Sequence, residues 1–113
     1  MRGFRVWPAV LVLLAAAPAV SASEDVLRYA QIAGEAKAFA KVCPVLAFDS
    51  AAVTQWGVAR GLAENSVKWS DAEFFYGRTI AAWQARSEAD ACAAAERLYG
   101  PEGRMAKGIL KGA

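Results

Sequence analysis

The sequence predicts an all-α fold: a small bundle of four helices, five if the tail is also helical, stapled by one disulfide. Three observations carry this. Alanine is abundant, β-branched residues are scattered, and no apolar–polar alternation runs for long, so helical spacing dominates. Pro44 and the Gly100-Pro101 pair fall between the periodic stretches, where helices stop. Cys43 and Cys92 lie 49 positions apart and allow only one intramolecular pairing.

The N-terminus reads as an export signal. Arg2 and Arg5 form a basic start, and an apolar run follows from Ala9 to Val20, interrupted by Pro18. Val20-Ser21-Ala22 then places small residues at the −3 and −1 positions of a cleavage site, the layout of a secretory signal peptide. A membrane-spanning helix needs about 20 apolar residues, more than this run supplies. Cleavage is therefore expected after Ala22. That leaves residues 23–113 as a single helical domain, periplasmic or secreted, with no transmembrane span.

The chain has 113 residues and a formal charge of +2. The excess belongs to Arg2 and Arg5; the cations that remain equal the 11 acidic groups in number. Such a balance gives no footprint for nucleic acid. An exported chain meets an oxidising compartment, so Cys43 and Cys92 are expected to pair. A closed loop of about 50 residues corresponds to roughly 4 kcal/mol in the chain-entropy model. The alternative is two free thiols. Their spacing is not that of a CxxC motif, and no histidine is present to activate one.

The first helix is expected from Glu24 to Val42. Ser23 would cap it, and Glu24 and Asp25 would complement its dipole. Val26, Tyr29 or Ala30, Ala33, Ala40 and Cys43 would form its apolar face. A second helix is expected from Ser50 to Glu64, capped by Asp49 or Ser50. Gly57 and Gly61 would sit four apart on it, read as close packing within the domain. Ser70-Asp71-Ala72-Glu73 fits a capping box, which predicts a third helix from Asp71 to about Arg86. Ser87 either caps a fourth helix through Tyr99 or lies in a turn within one long helix. Gly100, just past its end, and Pro101 beyond it would stop it. In the tail, Met105, Ile109 and Leu110 have a helical spacing that Gly103 and Gly108 weaken, so it reads either as a short docked helix or as a frayed end.

Constellations that carry chemistry are sparse. The absence of histidine excludes a Ser-His-Asp triad, a His-bearing zinc site and His-ligated haem. Asp71 and Glu73, and Glu88 and Asp90, are two apart and point to different sides of a helix. No acidic loop suits a hard cation, and no Gly-rich phosphate loop occurs. No catalytic residue, cofactor or metal site is therefore expected, and the chain does not read as an enzyme. The aromatic residues are the unusual feature. Ten fall after residue 22, more than a small bundle buries, so some are expected at a partner surface. Trp69, Phe75 and Tyr76 are the candidates. Trp69 could instead staple to Phe74 across the helix start.

The order of these features resembles a group of short exported alphaproteobacterial proteins classed as a domain of unknown function. The likeness rests on a first helix ending at Cys43, the SDAE box of residues 70–73, Cys92 followed by alanines, and the GILK tail of residues 108–111. The stretch between the SDAE box and Cys92 is shorter here than in that group. The resemblance implies a helical, disulfide-bonded fold and no catalytic activity. A likeness to small acid-stress chaperones of the periplasm is architectural only, without a shared motif.

The leading functional expectation is a non-enzymatic module that binds another periplasmic or membrane-complex protein, as an accessory subunit. The alternatives are an acid-stress-type chaperone, triggered by carboxylate protonation below about pH 5, and a carrier of a small apolar ligand between helices.

Overall fold

The computed structural model describes the backbone of residues 6–63 and 66–112, with side chains from residue 24 onward in those ranges. The element order is α1 (Val6–Val42), β1 (Leu46–Phe48), α2 (Ser50–Val58), α3 (Trp69–Trp83), α4 (Glu88–Tyr99) and β2 (Leu110–Gly112). The fold is mostly helical, with a small two-stranded sheet.

Helix α1 is the central element and packs against α2, α3, α4 and β1. It is continuous through residue 23, so Ser23 lies inside the helix and not at its cap. The alanine-rich residues before it are strong helix formers. Arg2 and Arg5 lie outside the described residues, and the proposed cleavage site lies within α1. Tyr29, Ile32, Ala36, Phe39 and Cys43 are buried at alternating three- and four-residue steps. The expected stripe through Ala33 and Ala40 is rotated from this one, and both alanines are only half-buried. Neighbours on several sides also bury Ala30 and Ala38, so no single stripe describes the helix. The chain leaves the helical path before Pro44, as expected.

Leu46–Phe48 then pairs antiparallel with the tail: Leu46 faces Gly112, Ala47 faces Lys111 and Phe48 faces Leu110. The tail is thus a loop and a strand, not a fifth helix. Gly108 adopts φ +74°, which breaks a helix and turns the buried Ile109 and Leu110 toward β1.

Asp49 caps α2, its carboxylate accepting from the Ala52 amide at 3.1 Å. The helix ends at Val58, short of the expected Glu64, which lies outside the described residues. Gly61, at φ +74°, donates to the Val58 carbonyl, and Leu62 donates to that of Gly57. This pattern is a Schellman motif. Gly61 is therefore the stop and not a helical residue. Gly57 does pack closely: a Cβ there would meet the Tyr29 ring at 2.6 Å.

The capping box does not form. Helix α3 starts at Trp69 with Lys68 as its cap and no side-chain cap bond. The Lys68 carbonyl accepts from both Asp71 and Ala72, so Ser70 is already in the first turn. Buried Val67 and Ala72 anchor the entry on either side of the start. The third helix ends at Trp83 and the fourth is separate, with the Ser87 hydroxyl accepting from the Asp90 amide at 3.1 Å. Helix α4 stops at Gly100 as expected, with that residue in extended backbone, φ −72° and ψ −170°. The Cys43–Cys92 disulfide forms, with Cα atoms 5.1 Å apart. It ties the end of α1 to the second turn of α4.

Candidate functional site

Helices α1 and α3 come into backbone contact at Gly34. A Cβ there would sit 2.2 Å from the Ala72 carbonyl oxygen and 3.0 Å from the Tyr76 amide nitrogen. Only a residue without a side chain lets the two backbones meet. Beside this crossing the helices diverge, and a trough of about 400 Å³ opens, lined by Ala33, Gly34, Lys37, Trp69, Ala72, Glu73 and Tyr76. Lys37 and Glu73 bring opposite charges to an otherwise largely apolar wall. A second hollow of about 280 Å³ continues toward α2 and shares Ala33, Lys37 and Trp69 with the first. Tyr29, Phe48, Val53 and Val67 line that part.

Trp69 stands between the two hollows at 72% exposure. The staple to Phe74 does not form, since Phe74 is itself 62% exposed. With α3 beginning at Trp69, Phe74 falls five residues along and does not face it. Of the three expected surface residues, Trp69 and Tyr76 line the trough. Phe75 lies on the other flank, half-buried and edge-to-face with Phe74 at 5.5 Å. The Arg78 guanidinium sits over both of those rings, 5.6 Å from Phe74 and 5.1 Å from Phe75.

Sequence reasoning missed Lys37 and Gly34 as trough residues, and Phe74 as an exposed one. A lone glycine among the alanines of α1 was the available sign of a close helix crossing.

It also missed the polar node beneath this face. Glu35 accepts from the Tyr99 hydroxyl at 2.6 Å and from Gln31 Nε2 at 3.1 Å, and Arg78 lies 3.5 Å away. Burial and the neighbouring Glu35 carboxylate push the Tyr99 hydroxyl far above its ordinary pKa. The node joins α1, α3 and α4, and its carboxylate is occupied by these donors. It reads as a structural lock, not a reactive centre. Among the described residues, no group of three or more Cys, Asp or Glu is placed to hold a metal ion. No helix among them is long and apolar enough to cross a membrane.

Comparison with known proteins gives no match to any family model, curated protein or solved structure.

Proposed function

We propose that this chain is an exported, non-enzymatic helical module that binds another protein through the α1–α3 trough, as an accessory subunit in the periplasm or of a membrane complex. The observation that carries the reading is Trp69, a large ring left 72% exposed at the rim of a largely apolar hollow. Tryptophan is the residue most enriched where partners dock, and exposing one in isolation leaves apolar surface in water. Lys37 and Glu73, one on each helix, would fix the register of a segment lying between them. Export accounts for the disulfide.

A second reading is a carrier of a small apolar ligand. The two joined hollows, about 400 and 280 Å³, are of ligand size. It predicts a lipid-like molecule in native mass spectra of the protein from its own host.

A photo-cross-linking residue at position 69, with exposed Ala93 on α4 as the control, separates the two readings. The protein-binding reading predicts one discrete protein adduct from position 69 and none from position 93. No adduct, or the same adducts from both positions, contradicts it.

A further inference from the structure

We infer that a second concave site, on the far side of α2 from the trough, binds a phosphate-type oxyanion. It is a hollow of about 470 Å³ between α2 and the loop that follows α4, lined by Gln55, Trp56, Arg60, Arg104, Met105 and Lys107 among others. Three cations from two separate stretches of chain converge there. Among the described residues, no carboxylate lines it. A domain whose charges balance overall has gathered three cations around a single depression.

Both walls are held in place. Arg60 lies 3.9 Å from the centroid of the Trp56 ring, and its Nη1 donates to the Trp56 carbonyl at 3.1 Å. The guanidinium is thus fixed, with further N–H donors left for a ligand. Trp56 is backed in turn by Tyr29, at 6.0 Å between ring centroids. On the opposite wall, the Arg104 and Met105 amides donate to the carbonyls of Arg97 and Leu98, both at 2.9 Å, and Gly108 donates to Gly100 at 2.8 Å. Gly103 is buried in this loop, where a Cβ would meet the Ala106 and Leu98 carbonyl oxygens at 2.4 and 2.6 Å. A loop stitched this closely needs little further backbone ordering on binding, so the cost that remains is that of the Arg104 and Lys107 side chains.

Among the described residues, Glu102 pairs with Lys107 at 3.8 Å, with both side chains largely exposed. A pair so open to water is weak and readily exchanged for a better anion. Guanidinium groups favour tetrahedral oxyanions, which accept several N–H bonds at once, over chloride. A phosphate group reaches an exported protein either free or on an anionic lipid headgroup.

The experiment has two arms, both on the purified, oxidised protein. In the first, amide NMR follows addition of sodium phosphate at constant ionic strength, against sodium chloride. The expected result is saturable shifts at residues 55–60 and 104–107, weakened at least tenfold in the R104Q/K107Q variant. In the second, the protein is sedimented with phosphatidylglycerol vesicles and with phosphatidylcholine vesicles. Binding to the former alone, lost in the same variant, assigns the source to a headgroup; saturation by free phosphate assigns it to the soluble ion. Both outcomes support the site. Arg60→Gln is the second variant, and unchanged thermal midpoints show that both variants fold. No saturable binding in either arm, or binding undiminished in the folded variants, overturns the inference.

Discussion

The Tyr99 hydroxyl donates to Glu35 Oε1 at 2.6 Å, across 64 residues of sequence. Tyr99 is fully buried and tilted against Phe39, with ring centroids 6.2 Å apart, and Phe39 packs in the same way on Trp83 at 5.7 Å. One phenol therefore joins the aromatic core to the polar node linking α1, α3 and α4.

Tyr99→Phe keeps the ring and removes the donor. The half-buried carboxylate then loses its shortest bond, which costs about 1–3 kcal/mol. Urea denaturation of the oxidised protein should report the loss as a lower midpoint with an unchanged slope.

The same phenol sets an alkaline limit. Its pKa is raised in the folded state, by burial first and by Glu35 second. A group raised on folding contributes stability that is fully present below its unfolded value, near 10, and lost as pH climbs above it. Stability should fall above about pH 10, and the fall should be shallower in Tyr99→Phe. Thermal melts between pH 8 and 11 provide the check.

At the acid end the corresponding group is Asp49. Its pKa is lowered first by the hydrogen bond from Lys111 Nζ, at 2.7 Å, and then by the Ala52 amide. A carboxylate lowered on folding contributes stability above its unfolded value, near 4, that disappears as pH falls through the lower folded value. Asp49 joins the start of α2 to β2, so the ribbon should loosen first. Amide exchange at Asp49, whose N–H donates to the Ile109 carbonyl, and at Lys111 should rise below pH 4, and Asp49→Asn should remove most of that dependence.

Two glycines in helices predict opposite signs. Gly34→Ala forces a Cβ into the Ala72 carbonyl, a backbone atom that cannot step aside. The crossing must part, at a cost of about 1–3 kcal/mol. Gly77→Ala, on the exposed side of α3 with nothing within 4 Å, should stabilise by up to about 1 kcal/mol. Thermal midpoints of the two variants test both.

Reducing Cys43–Cys92, or replacing both residues with alanine, should cost roughly 4 kcal/mol through the closed loop. Denaturant titration with and without reductant measures it.

What was legible in the chain was what short-range chemistry decides. Pro44 marks the end of α1, Asp49 and Ser87 cap their helices, and the cysteine pair follows from there being only two. The start of α3 was misread for a physical reason. The SDAE residues carry capping chemistry, but burial of Val67 and Ala72 places the start at Trp69, before Ser70 can act as cap. The β1–β2 ribbon was invisible because its partners, such as Ala47 and Lys111, lie at opposite ends of the helical stretch and carry no local pairing signal. The trough had the same obstacle. Trp69 was a candidate as one of the surplus aromatics, whereas Lys37 joins it only through the α1–α3 crossing that Gly34 permits.

The most direct test of the binding role is the affinity of the cross-linked partner for the wild-type protein and for Trp69→Ala. Trp69 is largely exposed, so its removal should leave the thermal midpoint in place. A central tryptophan contact typically contributes 2 kcal/mol or more, so binding should weaken by about thirtyfold. An unchanged dissociation constant in the folded Trp69→Ala protein would contradict the proposed role of the trough.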